Sequence, residues 1–153
     1  MLTRIRFSTL QAGLVFFWAV WLTVVTLTNL TDAFKALGGL PETFGWASYN
    51  YALVRETLAA QGVPTALAGL LFAGVLVWEL LAAGLLWRAW NAMRRGAPGT
   101  TAAVTQAFAV NLALWCAFLT ATELFINYAT AATHKSTLIA QLATLLVVRM
   151  RQD

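Results

Sequence analysis

A single glutamate stands inside an apolar stretch of this chain. Residues 74–84 read GVLVWELLAAG, and Glu79 is the one charged side chain among them. In hydrocarbon, an ionised carboxylate at the centre of a helix costs roughly 2.5–3.5 kcal/mol on insertion scales. We therefore expect Glu79 to face other helices, to be protonated, and to bond to a polar group on a neighbouring helix or partner.

A second group of polar side chains is predicted near the outer ends of the apolar segments. Glu123 and Asn127 lie on one face of a helix, Asn29 and Asp32 end the first apolar segment, and His134 precedes the last one. These five residues are candidates for a site that binds a proton, a cation or a small polar ligand. The same side chains could instead cap helix ends and bond one helix to another, at ~0.6 kcal/mol per contact.

Glu79 and Glu123 are not expected to form a carboxylate pair. At 1.5 Å per residue, Glu79 lies roughly 21 Å below the outer start of its segment, and Glu123 lies roughly 28 Å above the inner start of its own. In a hydrocarbon core of ~30 Å, their depths differ by roughly 20 Å. Glu79 then falls in the cytoplasmic half of the membrane, and acid–base chemistry by two adjacent carboxyls is not predicted.

No catalytic residue is predicted elsewhere. The sequence has no nucleophile elbow, phosphate loop, HExxH motif or dinucleotide fingerprint. No cofactor is predicted either. His134 is the single histidine, so a haem would need mono-His ligation or a ligand from a partner, and a bound quinone is the other redox alternative. Asp32, Glu123 and His134 are suitable metal ligands, but their spacing matches no motif and no metal is predicted.

The composition indicates whether the chain folds in water or in a lipid bilayer. Hydrophobic residues make up 60% of the 153 residues and charged residues only 10%, and the mean hydropathy is +0.72. A soluble domain of this length has too little interior to bury that much apolar surface. The chain is therefore predicted to be an integral membrane protein whose main partner is the lipid bilayer. Its net charge of +4 suits basic cytoplasmic loops, and no nucleic-acid partner is expected.

Four apolar segments are long enough to span the membrane. We predict a single all-α domain, residues 1–153, that forms a four-transmembrane-helix bundle with a partly helical extracytoplasmic loop between the first two spans. Within the loop, Asp32 is expected to cap a short helix, DAFKAL, and a second helix is expected near 47–60. The predicted spans are 7–30, 65–87, 104–127 and 131–148, and the loop covers 31–64.

The basic residues predict the orientation. With four spans, seven of the ten lysines and arginines fall on the side of both termini and three on the other side. Because positive charge concentrates in cytoplasmic loops, both termini are expected in the cytoplasm. The seven are Arg4, Arg6, Arg88, Arg94, Arg95, Arg149 and Arg151, and the three are Lys35, Arg55 and Lys135.

Three short motifs resemble a bacterial family of predicted small integral membrane proteins, an uncharacterised four-helix family. They are TNLTDAF at the end of the first span, the Trp-Glu pair in the second, and the glutamate late in the third. This chain departs from the family at Leu124, where a tryptophan is common, and in its outer loop. The resemblance implies a four-span bundle in the bacterial inner membrane and supplies no activity. The matching positions are Asn29, Thr31, Asp32, Glu79 and Glu123.

These observations favour a non-enzymatic role. The leading hypothesis is an accessory or structural subunit of a larger membrane complex for redox or transport, which associates with other membrane subunits or with itself. A small oligomeric transporter linked to protons or cations, in which Glu79 and Glu123 titrate, is the first alternative. A redox subunit that binds haem or quinone is the second.

Overall fold

The computed structural model describes residues 7–150, and the regular structure in that range is entirely helical, as predicted. Arg4, Arg6 and Arg151, which contribute to the orientation argument, lie outside the described residues. The five helices are α1 (Phe7–Ala36), α2 (Asn50–Ala60), α3 (Ala66–Arg95), α4 (Thr100–Leu124) and α5 (Ala131–Arg149).

Four of these helices are long and apolar enough to cross a bilayer. They are α1, α3, α4 and α5, so the fourth span predicted from the sequence is confirmed by length and composition. α5 has 19 residues, which at 1.5 Å per residue matches a hydrocarbon core of ~30 Å. Large apolar side chains such as Leu70, Val77 and Leu146 are about two-thirds exposed on the outer surface of the bundle, where lipid tails would cover them.

The four long helices form a ring in which neighbours along the chain are neighbours in space. α1 packs on α3, α3 on α4, α4 on α5, and α5 returns to α1. At one end of the bundle, the Gln11 amide near the start of α1 donates to the carbonyl oxygens of Val147 (3.0 Å) and Met150 (3.0 Å) at the end of α5. We call this the termini end, and the opposite end, which carries α2, the α2 end.

A tight turn joins α3 to α4 at the termini end. Gly96 ends α3 with φ 57°, and Gly99 precedes α4 with φ 79°. Both values lie in the left-handed region that glycine adopts without a steric penalty. The turn makes α3 and α4 antiparallel and brings Thr100 within reach of the last turn of α3, where its hydroxyl lies 3.2 Å from the Ala92 carbonyl oxygen.

The closely packed core occupies the half of the bundle towards the termini end. Several of its members are alanines with 0% exposure, and such small residues let helix backbones approach closely. Trp18 extends from this core and donates its indole N–H to the Thr144 hydroxyl, 3.0 Å away on α5. The core comprises Val15, Trp18, Ala19 and Leu22 of α1; Ala82, Ala83, Leu85, Leu86 and Ala89 of α3; and Val104, Ala107 and Phe108 of α4.

Several helix boundaries differ from the predicted ones. α1 continues to Ala36 instead of ending near 30, because no helix breaker occurs before Gly38, which has φ 74°. The separate DAFKAL helix capped by Asp32 was therefore a wrong prediction. For the same reason α3 runs to Arg95, directly before Gly96, whereas α4 ends at Leu124, short of the predicted 127.

α2 closes one end of the bundle. It begins at Asn50, three residues later than predicted, and packs against α1 and α3. Leu58 is its buried anchor at 1% exposure, and the Tyr51 ring lies 5.6 Å from the Phe72 ring of α3, centre to centre. α2 therefore covers the bundle rather than lying apart from it.

Candidate functional site

A chain of three polar side chains crosses the bundle below α2. The Asn50 amide donates to Asn29 Oδ1 at 2.8 Å, and the Asn29 amide donates to Glu79 Oε1 at 2.7 Å. Asn29 and Glu79 are each 2% exposed. This polar chain, Asn50–Asn29–Glu79, connects α2, α1 and α3, so Glu79 faces the bundle and has a partner on a neighbouring helix.

The Asn29–Glu79 contact corrects the predicted place of Asn29, which the sequence assigned to an outer cluster apart from Glu79. α1 continues past Asn29 for seven residues to Ala36, so Asn29 lies well inside the helix. Side chains tilt towards the N-terminus of their own helix. Because α1 and α3 run in opposite directions, the Asn29 and Glu79 side chains lean towards each other and close the remaining gap.

The second carboxyl oxygen of Glu79 is buried without a partner. Glu79 Oε2 has no hydrogen bond within the described part of the chain. If the group is ionised, this oxygen is an acceptor without a donor, and if the group is neutral, it carries a proton without an acceptor. An unsatisfied buried polar atom costs roughly 1–3 kcal/mol. In either state, a further hydrogen-bond partner at Oε2 would stabilise the protein.

A cavity of about 550 Å³ adjoins this carboxyl in the half of the bundle towards the α2 end. Its volume lies within the roughly 300–1,000 Å³ usual for small-molecule sites. Its lining is largely apolar, and no lysine or arginine of residues 7–150 contributes to it. Its aromatic members are Trp21, Phe72, Trp78, Trp115, Phe118 and Phe125, and its hydrogen-bonding members include Asn29, Asn50, Thr57, Glu79, Thr122, Asn127 and His134.

Trp115 is the centre of an aromatic wall in this cavity. Its ring lies 5.8 Å from Trp21, 5.4 Å from Phe118 and 5.9 Å from His134, centre to centre. Although Trp115 is only 6% exposed, its indole N–H has no acceptor among the described residues. A buried tryptophan normally finds a hydrogen-bond partner, so Trp115 is the second unsatisfied polar group of the pocket.

His134 belongs to the same wall. Its ring stacks on Phe118 at 5.2 Å, and its Nδ1 lies 3.3 Å from the Thr122 hydroxyl. Asn127 lies nearby and donates to the Thr57 hydroxyl at 2.8 Å, which ties α2 to the segment between α4 and α5. Three of the five predicted cluster residues, Asn29, Asn127 and His134, therefore line the pocket together with Glu79.

The other two members of the predicted cluster lie elsewhere. Asp32 Oδ2 accepts the backbone N–H of Tyr51 at 2.8 Å and the Ser48 hydroxyl at 3.2 Å. Its carboxylate thus satisfies a first-turn amide of α2, where the helix dipole favours negative charge. Glu123 is exposed and does not line the pocket. Residues 7–150 contain no group of three or more His, Cys, Asp or Glu side chains that could hold a metal ion.

Two pocket residues were not singled out by the sequence. Asn50 stands at the first position of α2, a helix whose start was predicted three residues earlier. Trp115 lies deep in the third apolar segment and was not among the predicted site residues. The signal that could have identified Trp115 is its depth within a span, where its N–H has to find a partner inside the protein.

Comparisons of the chain with protein-family models, curated proteins and solved structures found no match. The function must therefore be argued from the pocket itself.

Proposed function

We propose that this protein is a non-enzymatic, four-span subunit of the bacterial cytoplasmic membrane that binds a small molecule in the cavity below α2. The observation that carries the proposal is that this cavity of about 550 Å³ is lined by Glu79 and Trp115, whose buried atoms Oε2 and Nε1 have no hydrogen-bond partner in the described part of the chain. Since each unsatisfied group destabilises the protein alone, a ligand that bonds to both recovers that free energy on binding.

The binding role is tested by filling the pocket. Ala121 of α4 lines the cavity, whereas Ala113 on the same helix is exposed and does not. We expect small molecules extracted from wild-type protein purified from native membranes to include one that is lost in Ala121→Trp and retained in Ala113→Trp, as measured by mass spectrometry. Equal extracts from all three proteins would contradict a binding role for this cavity.

The proposal places the α2 end outside the cytoplasm. Its support is the position of four arginines at the termini end, Arg88, Arg94, Arg95 and Arg149, together with the preference of positive charge for the cytoplasmic side. The proposed location in the bacterial inner membrane is supported by the resemblance of TNLTDAF and the Trp-Glu pair to a bacterial membrane-protein family.

Cysteine labelling tests the orientation. Thr43 and Thr101 are exposed at opposite ends, in the loop before α2 and in the first turn of α4. In a Cys116→Ser background, an impermeant maleimide should label Thr43→Cys in intact cells and Thr101→Cys only after the membrane is permeabilised. The reverse pattern would invert the proposed topology.

The subunit role is supported by α5. In its apolar stretch, 11% of residues are buried within the described protein, compared with 28–33% in the other three spans. α5 therefore has the largest share of its surface available to another membrane protein. We expect the protein to co-purify with a defined partner, or with itself, from native membranes in mild detergent, and the mass of a single chain alone would refute this part of the proposal.

A further inference from the structure

The carboxyl group of the pocket, which a bound cation would hold in its ionised form, indicates the sign of the ligand. Glu79 is the one carboxyl group among its lining residues, and within residues 7–150 no lysine or arginine lines the cavity to neutralise it. The imidazole of His134, the other titratable group in the lining, is engaged through Nδ1 with Thr122 at 3.3 Å. A lining glutamate with one oxygen that lacks a donor, in a cavity to which none of the described basic residues contributes, favours a ligand that brings both a proton donor and a positive charge.

The aromatic lining favours the same ligand. Six tryptophan and phenylalanine side chains line the cavity. Aromatic faces attract cations through the ring quadrupole, and the attraction grows when the cation is desolvated. The same rings also provide apolar contact area for the body of an amphipathic molecule. A carboxyl surrounded by aromatic rings therefore combines the two features that recognise an organic ammonium group.

Trp115 adds a requirement for an acceptor. Its buried indole N–H lacks an acceptor within the part of the chain that the structure describes, and an ammonium group cannot supply one because it has donors and no acceptor. A ligand that satisfies both orphaned atoms carries an oxygen acceptor, such as an ether or hydroxyl, at a point separate from its amine.

From these three observations we infer that the pocket binds a hydrophobic protonated amine that carries an ether or hydroxyl oxygen, with the ammonium bonded to Glu79 Oε2 and the oxygen to Trp115 Nε1. This inference rests on the proposed binding role of the cavity and specifies the chemical class of its ligand.

Four related probe molecules separate the contributions of the positive charge and of the ether oxygen to binding. Para-methoxyphenethylamine has the amine, the ring and the ether oxygen; para-methoxyphenethyl alcohol lacks the charge; phenethylamine lacks the ether; and para-methoxyphenylacetate reverses the charge. Binding is measured by calorimetry on the full chain in lipid nanodiscs. We expect the first probe to bind at least about tenfold more tightly than the alcohol, the scale of one charge-assisted hydrogen bond, and more tightly than phenethylamine. The acetate should not bind.

Variants assign the preference to Glu79. Glu79→Gln keeps an acceptor for the Asn29 amide and removes the charge, so the amine and the alcohol should bind equally. Glu123→Gln, at an exposed carboxyl outside the pocket, should retain the wild-type preference and controls for partitioning of the amine into the membrane. If the alcohol binds wild-type protein as tightly as the amine, or if Glu79→Gln keeps the preference for the amine, the inference is wrong.

The inference and the proposed function can fail separately. If all four probes bind with similar affinity and Ala121→Trp abolishes their binding, the cavity is a binding site for neutral amphipathic molecules and the inferred ligand class is refuted. If no probe shows binding that responds to Ala121→Trp, the cavity is not a site for this class, and the extraction experiment with Ala121→Trp and Ala113→Trp decides whether the binding role itself also fails.

Discussion

The hydrogen bond between Asn29 and Glu79 is open to a double-mutant cycle. The two side chains are replaced by leucine singly and together, because leucine fills comparable space without a polar atom. In the folded protein, Asn29→Leu leaves both carboxyl oxygens of Glu79 without a partner and releases the Asn50 amide. Glu79→Leu leaves one amide hydrogen of Asn29 unpaired, while Asn29 Oδ1 still accepts from Asn50.

The expected coupling free energy of the cycle follows from these lost hydrogen bonds. A buried group without a partner costs roughly 1–3 kcal/mol, whereas removal of both partners together is nearly neutral. Interhelical hydrogen bonds in membranes average about 0.6 and reach about 1.7 kcal/mol. Because Glu79 and Asn29 are both 2% exposed and the acceptor is a carboxyl, we expect a coupling near the upper limit, about 1.5 kcal/mol. The double variant should be more stable than Asn29→Leu alone.

The assay is reversible unfolding in mixed micelles of lipid and sodium dodecyl sulfate, followed by the fluorescence of the seven tryptophans. A control cycle pairs Asn29→Leu with Glu123→Leu, since Glu123 is exposed and shares no partner with Asn29. Those two changes should be additive. If the Asn29–Glu79 cycle is also additive to within about 0.5 kcal/mol, the two residues are not bonded in the folded protein and the polar chain is refuted.

Three further predictions concern the contacts that fix α2 and α5 to the rest of the bundle. Asp32→Ala should increase hydrogen exchange at the first-turn amides of α2, because loss of a capping carboxylate destabilises a helix by about 0.5–2 kcal/mol. The control Glu56→Ala, on the exposed face of α2, should leave this exchange unchanged, and equal exchange in both variants would contradict the capping role. Leu58→Ala should lower the unfolding free energy by about 2–5 kcal/mol, because Leu58 is 1% exposed. The control Leu70→Ala, at a 71% exposed site, should lower it far less, and similar losses in both variants would show that Leu58 does not hold α2 against the bundle. Gln11→Leu removes the donor to the last carbonyls of α5 and should lower the unfolding free energy by roughly 1–3 kcal/mol in the same assay. An unchanged unfolding free energy would mean that water satisfies these carbonyls.

The sequence predicted the helices better than their ends. Hydropathy identifies a span because some twenty apolar residues must share one environment, and this property is local. The end of a helix is decided by the first breaker, and α1 and α3 both ran on to a glycine with positive φ, Gly38 and Gly96. Asp32 illustrates the consequence. Its type is typical of an N-cap, but it caps α2 from inside α1, a contact between residues 19 positions apart.

The candidate site could be predicted only in part. Asn29, Asn127 and His134 were chosen as polar residues near span ends, and all three line the pocket. Glu123 fitted the same criterion but points outward, because the rotation of α4 about its own axis depends on packing against α3 and α5. Asn50 was missed because nothing in its local sequence distinguishes an amide that lines a cavity from one that fills a core. The depth of Trp115 within a span indicates that its N–H needs a partner, but it does not show that the indole lines a cavity.

The sequence alone determined that this chain is a membrane protein with four spans and that Glu79 needs a partner, because the costs of placing apolar residues in water and a carboxyl in hydrocarbon are properties of the side chains themselves. Only the tertiary structure decided that the partner is Asn29, that among residues 7–150 one carboxyl oxygen of Glu79 and the indole N–H of Trp115 have no partner, and that both residues line one cavity. The depth and rotation of each helix depend on how alanine-rich faces pack in one half of the bundle and how α2 holds the other half. Those contacts join residues far apart in the chain, and no local pattern records them.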